Sequence, residues 1–358
     1  MVDTAKDVAA IAALWADNAG GLISEQDLRD GALASGHHDF ATGRVTDGDF
    51  YVCATHGDDS NSGATIEAPF ATIQKAVDTV TAGSTVYVRG GLYVENVIVG
   101  VSGTATNRIE LLAYPGETPV VDGNQVAGQY TFRVGTYSYW TVQGFTFTNS
   151  VNNKDGAVFW GNYNYIIDCL SIRNGRAGFG HAGTGSVFLR CKSMFNYDPA
   201  NLGEHADGFQ TDTNAGNGNT LIDCYAFRNG DDGFDNAQSN GNTYINCVSQ
   251  ENGRTEDGTL TTNGDGWGFK IRLSAANDTG DPHRYVNCVS IGNKAGWEGA
   301  DSGVSAGCNA ILYNCTSVDT GNGFSDNQNT TVDEFYGCAS EGAVTINAVH
   351  TETYNSWN

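Results

Sequence analysis

A ten-residue segment with a cysteine at its centre recurs through the second half of the chain. The seven copies are YIIDCLSIRN (165–174), VFLRCKSMFN (187–196), TLIDCYAFRN (220–229), TYINCVSQEN (243–252), RYVNCVSIGN (284–293), ILYNCTSVDT (311–320) and EFYGCASEGA (334–343). Apolar and polar residues alternate around each cysteine, which is the period of two of a β-strand. Repeats of this kind stack on their neighbours, so the chain must form a solenoid or a propeller.

The spacing of the copies decides between these two architectures. Most neighbouring cysteines are 22 to 27 residues apart, and two longer intervals, 33 and 41, mark coils with insertions. Units of this length, with Gly and Asn in their turns, are typical of one coil of a parallel β-helix, whereas a propeller blade needs about 40 to 50 residues and a Trp-rich signature. We therefore expect an all-β, right-handed parallel β-helix. A degenerate earlier copy is YWTVQGFTFTN (139–149), in which we align Gly144 with the cysteine.

Stacking places the seven repeated cysteines in one column, with a rise of about 4.8 Å per coil. We expect them to point into the core as thiols, because small sulfur side chains pack well there and parallel side-chain vectors fit the disulfide torsion poorly. Disulfides between neighbouring coils are the alternative. No two of the nine cysteines in the chain have the CxxC spacing of a zinc or redox site.

An open end of a β-helix exposes core and strand edge, and so it needs a cover. Apolar residues recur at helical spacing in PFATIQKAVDTV (69–80), and Pro69 suits a helix start, so we predict a short N-terminal capping helix here. Residues 1–45 have a different character, with a helical pattern in VAAIAALW (8–15). We expect an N-terminal helical or loop appendage over residues 1–45 and a β-helix catalytic domain over residues 46–358.

The charge of the chain limits its partners. It has 41 acidic and 18 basic residues and a formal net charge of -23, which argues against a nucleic-acid partner. No stretch approaches the roughly 20 apolar residues of a membrane span, so we expect no membrane partner. The acidity has two explanations, carboxylates gathered to bind cations or a generally acidic surface.

A second motif follows each cysteine strand and places an aromatic residue after a Gly-rich turn. Its aromatic residues are Phe179, Phe209, Phe234, Phe269, Trp297 and Phe324. We expect them to stack in the core, so that strand alternation sends the next residue of each coil outward. That outward column is Gly180, Gln210, Asp235, Lys270, Glu298 and Ser325.

Four aspartates and one lysine meet on neighbouring coils of this motif. Asp207, Asp231, Asp232 and Asp235 would repel one another unless a cation lay among them. A set of hard oxygen ligands without His or Cys favours Ca²⁺ over Mg²⁺ or Zn²⁺. A Ca²⁺ that only tightens a turn, or solvated aspartates without any ion, are the alternatives.

Lys270 on the next coil adds a candidate base. A uronic acid polymer is cut by β-elimination when the proton on C5 is removed and the oxygen on C4 leaves. A metal on the substrate carboxylate stabilises the resulting charge, and a neutral amine can take the proton if its pKa is lowered. The opposing interpretation is that Lys270 bridges Asp235 and Glu298, which would raise its pKa.

The same residues resemble a known family. GDDGFD (230–235), ADGF (206–209) and GFK (268–270) are similar to the signature of polysaccharide lyase family 9, the β-helical pectate lyases. YVCATHGDDSNSG (51–63), PFATIQKAV (69–77) and TVYVRGGLY (85–93) resemble its N-terminal part, although many β-helix proteins share that opening. The resemblance spans roughly residues 50–340. It implies that Asp207, Asp231, Asp232 and Asp235 bind Ca²⁺ and that Lys270 is the Brønsted base.

One departure from the family lies just after the base. Ile271, Arg272 and Leu273 stand where family members tend to have small residues, and Arg272 could pair with a substrate carboxylate. We therefore expect a calcium-dependent lyase, acting as a monomer on an acidic polysaccharide, with polygalacturonate as the leading substrate. The alternatives are a lyase for another uronate polymer, a β-helix glycoside hydrolase, and a β-helix that only binds polysaccharide.

The location of the protein follows from the resemblance alone. The first six residues, MVDTAK, lack the charged start and apolar core of a signal peptide, which leaves a cytoplasmic location open. The resemblance implies a secreted protein whose leader has been removed.

Overall fold

The chain divides into two units, Met1–Gly48 and Asp49–Asn358. The computed structural model describes residues 38–39, 44–45, 48–211, 216–236, 241–271, 282–299, 310–318, 322–326, 332–341, 343–346, 349–353 and 356–357. In the first unit, the described strands His38–Asp39 and Arg44–Val45 form an antiparallel pair. The helical pattern at residues 8–15 lies outside the described residues, and the predicted boundary after residue 45 stays a prediction.

The second unit is a right-handed parallel β-helix with three sheets, as the repeat predicts. Over the described residues, sheet 1 contains the strands Phe50–Val52, Thr85–Val88, Ile109–Ala113, Trp140–Gln143, Tyr165–Ile167, Val187–Leu189, Thr220–Ile222, Thr243–Ile245, His283–Val286, Ala310–Tyr313, Val332–Tyr336 and Val349–Thr353. Sheet 2 contains the strands Gly91–Val94, Pro119–Asp122, Thr146–Thr148, Leu170–Ile172, Lys192–Met194, Tyr225–Phe227, Val248–Gln250, Val289–Ile291, Thr316–Val318, Ala339–Ser340 and Ser356–Trp357. Sheet 3 contains the strands Val97–Ile98, Phe132–Gly135, Ala157–Phe159, Phe179–His181, Phe209–Thr211, Phe234–Asn236, Trp267–Ile271, Ala295–Gly299, Asn322–Asp326 and Ala343–Ile346.

The corner between sheets 1 and 2 explains the residue that precedes each cysteine. In coil after coil that residue has a positive φ, and these residues are Asp168, Arg190, Asp223, Asn246, Asn287, Asn314 and Gly337. Asp, Asn and Gly adopt this conformation more readily than most residues do. Gly144, with φ +82, occupies the same corner, because its neighbour Gln143 pairs with Ile167. Our alignment of Gly144 with the cysteine is therefore wrong by one residue, and Phe145 stands in the cysteine column.

The cysteine column lies inside the coil, as predicted. All seven repeated cysteines are buried, and none forms a disulfide. Each thiol lies close to a backbone carbonyl oxygen of the preceding coil, for example 3.3 Å from Cys191 to Ile166 and 3.4 Å from Cys247 to Leu221. The aromatic column stacks beside it, with ring centroids 4.9 Å apart for Phe209 and Phe234 and 4.8 Å apart for Phe234 and Phe269. These two columns make much of the core.

The corner between sheets 2 and 3 is held by stacked asparagines. Asn174, Asn196, Asn229, Asn252 and Asn293 are buried. In each of the first four, the side-chain Nδ2 donates to the side-chain Oδ1 of the asparagine on the next coil, at 2.8 to 3.1 Å. Because a buried amide without partners destabilises the fold, this ladder both satisfies the corner and aligns its coils.

A short helix covers the first coil, as predicted, although it is limited to Ile73–Val77. Thr72 caps it by accepting a hydrogen bond from the amide of Lys75, and the carboxylate of Glu95 accepts from the amides of Ile73 and Gln74. Phe70 and Val80 are also buried against the core. In the described ranges, no helix has the length and apolar character to cross a membrane.

Candidate active site

The outward column of sheet 3 has the register that the sequence predicts. Gly180 pairs with Gln210, Gln210 with Asp235, and Asp235 with Lys270. The strand register continues from Lys270 to Glu298 and on to Ser325. Asp235 and Lys270 therefore lie side by side on neighbouring coils of one outer face.

A column of glycines brings the other aspartates to the same place. A Cβ at Gly208 would lie 2.4 Å from the carbonyl oxygen of Gly233, and one at Gly233 would lie 2.7 Å from the carbonyl oxygen of Gly268. Only glycine fits such close backbone packing. The Asp-Gly-Phe motif therefore places Phe in the core, Gly against the next coil, and Asp207 and Asp232 in the turn before the strand.

Three carboxylates meet in this turn. One oxygen from each of Asp207, Asp231 and Asp232 lies within 4.8 Å of the others, and all three residues are buried. Backbone amides hold them: Asp232 donates to Asp207 Oδ1 at 3.0 Å, Trp267 donates to Asp232 Oδ1 at 2.7 Å, and His205 donates to Asp231 Oδ2 at 2.8 Å. The cluster is thus fixed by main-chain groups of neighbouring coils.

Two carboxylate oxygens of the cluster have no partner. Asp207 Oδ2 and Asp235 Oδ1 are buried and accept no hydrogen bond in the described structure. A buried carboxylate oxygen without a donor is unfavourable, and a cation with oxygen ligands would satisfy both atoms. The residues present therefore fit a hard divalent cation such as Ca²⁺.

Lys270 is the cation that the structure places against these carboxylates. Its Nζ lies 2.7 Å from Asp232 Oδ2, 3.3 Å from Asp265 Oδ2 and 3.9 Å from Asp235 Oδ2. The side chain of Lys270 is 6% exposed, whereas that of Asp265 is 52% exposed. Lys270 therefore pairs most closely with a carboxylate in the turn rather than with Asp235, its neighbour in strand register.

Asp265 is a site residue that sequence reasoning missed. Its backbone amide donates to Asp231 Oδ1 at 2.6 Å, and its carboxylate faces Lys270. The sequence does contain a signal for it, the pair Asp265-Gly266. In the two preceding coils the Asp-Gly pair directly precedes the aromatic residue, whereas here it lies two residues earlier, before Trp267 and Gly268.

The burial of so many charges moves their pKa values. Burial raises the pKa of Asp207 and Asp232 well above the ordinary value, and the nearby carboxylates, Asp231 first, add to the rise. Burial also raises the pKa of Asp231, although Lys270 opposes this. Burial alone would lower the pKa of Lys270, but the four aspartates, Asp232 first, outweigh it and raise that pKa far above the ordinary value. Without a further cation, the cluster therefore holds its protons tightly.

Arg272, the predicted substrate-binding residue, lies outside the described residues. The structure thus brings together Asp207, Asp231, Asp232, Asp235 and Lys270. Their roles in catalysis and in metal binding stay predictions.

Comparison with known proteins relates the whole β-helix to one group. A family model described as "Pel9A-like, right handed beta helix region" matches residues 50–350. Pectate lyase PEL9 of Emericella nidulans is 30% identical over 281 residues, which cover 68% of this chain and 67% of that protein. Pectate lyase L of Thermoclostridium stercorarium is 31% identical over 265 residues, which cover 68% of this chain and 21% of that protein.

A solved structure has the same fold. The crystal structure of pectate lyase Pel9A matches with a TM-score of 0.73 and 24% sequence identity, over 86% of this chain and 78% of that one. This likeness supports the β-helical architecture over nearly the whole described chain.

Proposed function

Because this chain belongs to the Pel9A-like right-handed β-helix family, we propose that it is a calcium-dependent lyase that cleaves polygalacturonate by β-elimination. Its family and its relatives named pectate lyase identify it as a polysaccharide lyase. The proposal adds the substrate, the metal and the residues that act on them. We assign catalysis to the domain of residues 46–358.

The observation that supports this proposal most directly is the pair of unpartnered oxygens beside Lys270. Asp207 Oδ2 and Asp235 Oδ1 are buried without donors. A third carboxylate of the cluster, that of Asp232, contacts Lys270 at 2.7 Å. A calcium site and an amine base are thus next to one another. We propose Asp207, Asp231, Asp232 and Asp235 as the ligands of Ca²⁺.

The chemistry of the site rests on one proton. Bound calcium would neutralise the substrate carboxylate and stabilise the charge that builds on it. Lys270 Nζ takes the proton from C5, the C4–O bond breaks, and a C4–C5 double bond forms while the leaving oxygen takes a proton from solvent. The carboxylates that raise the pKa of Lys270 are those whose charge the metal ion offsets, so metal binding favours the neutral amine. Arg272 is proposed to pair with a second substrate carboxylate.

The setting of the reaction follows from the substrate. We propose that the protein acts outside the cell, as a monomer, on an acidic polysaccharide chain. The extracellular location and the polysaccharide partner are supported by the proposed substrate and by the relatives named pectate lyase.

The experiment is incubation of the protein with a panel of uronate polymers, with calcium and with a chelator. A lyase produces unsaturated ends, and their ultraviolet absorbance should rise with polygalacturonate and calcium and stop when the chelator is added. Lys192→Ala serves as a control, because that lysine is exposed on sheet 2.

Two outcomes would contradict the proposal. New reducing ends without ultraviolet absorbance would indicate a hydrolase, which needs two carboxylates and no lysine. No product from any uronate polymer would indicate a β-helix that only binds polysaccharide.

A further inference from the structure

A group of cations and aromatic rings lies on the same face as the candidate active site, several coils toward the N-terminus. The guanidinium of Arg133 lies 5.4 Å from the ring centroid of Trp160, and the ammonium of Lys154 lies 4.7 Å from that of Tyr130. The rings of Tyr130 and Trp160 meet edge to face at 5.5 Å. We name these four residues the cation–aromatic cluster.

These two cations differ from most arginines on the described surface. Arg89, Arg173, Arg190 and Arg228 are each paired with a carboxylate at ion-pair distance. Among the described residues, neither Arg133 nor Lys154 lies that close to an acidic group. Aromatic rings hold a cation in place without cancelling its charge. The charge and the hydrogen-bond donors of both residues therefore stay available to an outside anion.

Strand register connects the cluster to the active site. Arg133 pairs with Val158, which pairs with Gly180, and this outward column continues through Gln210 and Asp235 to Lys270. Arg133 is thus five coils before Lys270, or about 24 Å at the usual strand spacing. The three positions between Arg133 and Asp235 are uncharged, and Gly180 has no side chain. The carboxylate of Asp155 lies against Gly180 on this stretch. It is paired with Arg176 at 3.0 Å, so its charge is offset.

We propose that the cation–aromatic cluster is a distal subsite that binds carboxylates of an acidic polysaccharide whose other end lies at Lys270. The inference rests on the proposed function and extends it. A polyanion approaching a chain of net charge -23 is repelled over most of the surface. Arg133, in register with the base, and Lys154 beside it in the cluster give a long polymer a place to bind. The guanidinium of Arg133 can hold a carboxylate by two hydrogen bonds.

Binding of polygalacturonate to Lys270→Ala protein tests this inference without cleavage of the ligand. Titration calorimetry with calcium present would compare that protein with the same protein carrying Arg133→Gln and Lys154→Gln. We expect the two changes together to weaken binding about fivefold to tenfold. Lys192→Gln removes a lysine charge from sheet 2 and should leave the affinity unchanged. Trigalacturonate, which is too short to reach from Lys270 to Arg133, should bind all these proteins equally.

Each result decides the inference apart from the lyase activity. Equal polymer affinity with and without Arg133 and Lys154, or equal weakening for trigalacturonate, would overturn the subsite even if the wild-type protein proves to be a lyase. A drop confined to the long polymer would support it even if no unsaturated product forms. If the polymer does not bind at all, the subsite is wrong.

Discussion

Lys270 is the residue on which the proposed chemistry depends, and its surroundings set the direction of its pH response. In the cluster without a metal, the pKa of Lys270 is raised by Asp232 first and then by the other aspartates, against the effect of burial. A protonated lysine cannot accept the C5 proton. The active fraction should therefore rise as the pH rises, and calcium should shift this rise toward neutrality by offsetting the carboxylates.

Replacing Lys270 by Ala should lower kcat about a hundredfold to ten-thousandfold, the usual contribution of a general base. Lys270→Arg should fail as well, because guanidinium holds its proton too tightly. Calorimetry should find calcium binding intact in both variants, since the carboxylates remain. Asp235→Asn should lose calcium binding and activity together. A Lys270→Ala protein that cuts polygalacturonate at the wild-type rate, or a rate that is equally high at mildly acidic pH, would rule out this base.

The limits of sequence reasoning are clearest at this residue. Period-two alternation predicts that Asp235 and Lys270 are neighbours, because register depends only on the strand pattern. It does not predict that a long lysine side chain reaches back to Asp232 in the turn, nor that Asp265 faces it. Both depend on the path of turns, whose lengths differ from coil to coil.

His181 offers a test of residue-scale burial that is independent of the active site. It is buried, and its ring centroid lies 5.3 Å from that of Phe188. Burial lowers its pKa to about 4 from the ordinary 6.5. As the pH falls below 6.5, this histidine becomes protonated in the unfolded chain, but in the folded protein it stays neutral until about pH 4. The free energy of unfolding therefore decreases as the pH falls from 6.5 to about 4.

This loss should reach about 3 kcal/mol, since each pKa unit corresponds to about 1.4 kcal/mol. His181→Phe removes the titration and has a precedent in Phe159, which pairs with His181 in the preceding coil. Urea unfolding at pH 7 and pH 4.5 should give a smaller pH-dependent change in the variant than in the wild-type protein. Equal changes in the two proteins would show that His181 is not protonated on unfolding.

At the scale of the elements, the backbone conformation at the corners of the coil determines the alignment of the repeats as much as the strands do. The cysteine repeat predicts the strands and the inward column correctly, because each depends on a simple alternation. It misplaces Gly144, since the feature shared at that corner is a positive φ, with Phe145 in the core position where other coils have cysteine. A pattern based on side-chain identity does not detect a backbone conformation that Gly, Asp, Asn and Arg all adopt here.

The asparagine ladder should contribute strongly to the stability of its corner. Asn229 Nδ2 donates to Asn252 Oδ1 at 2.9 Å and to the carbonyl oxygen of Ser193 at 3.1 Å, and its own Oδ1 accepts from Asn196. Asn229→Ala leaves these buried groups unpaired and should lower the free energy of unfolding by about 2 to 4 kcal/mol. The exposed Asn152→Ala should change it by less than about 0.5 kcal/mol. Denaturant unfolding measures both, and equal losses would mean that the ladder adds nothing beyond packing.

At the scale of the whole molecule, the proposed calcium site links stability to the proposed catalysis. Its four aspartates come from two neighbouring coils, Asp207 from one and the other three from the next, so a bound ion would tie these coils together. A solenoid depends on contacts between neighbouring coils, and a weak interface in its middle lowers the stability of the array. Repulsion among these carboxylates should therefore lower the free energy of unfolding of the whole β-helix.

Calcium should raise the thermal stability of the protein, by about 2.7 kcal/mol when its concentration is a hundred times Kd. Because burial raises the pKa of Asp207, Asp231 and Asp232, the metal-free folded protein binds more protons than the unfolded chain, and its stability rises as the pH falls below neutrality. Protons then compete with the ion, so the shift in Tm on adding calcium should be large at pH 8 and should shrink toward pH 5. Calorimetric scans with calcium, with magnesium and with a chelator would measure this shift in Tm. Asp207→Asn removes one carboxylate of the cluster and should abolish most of the shift. A Tm that does not respond to calcium at any pH, or that responds equally in Asp207→Asn, would show that these carboxylates do not hold the ion.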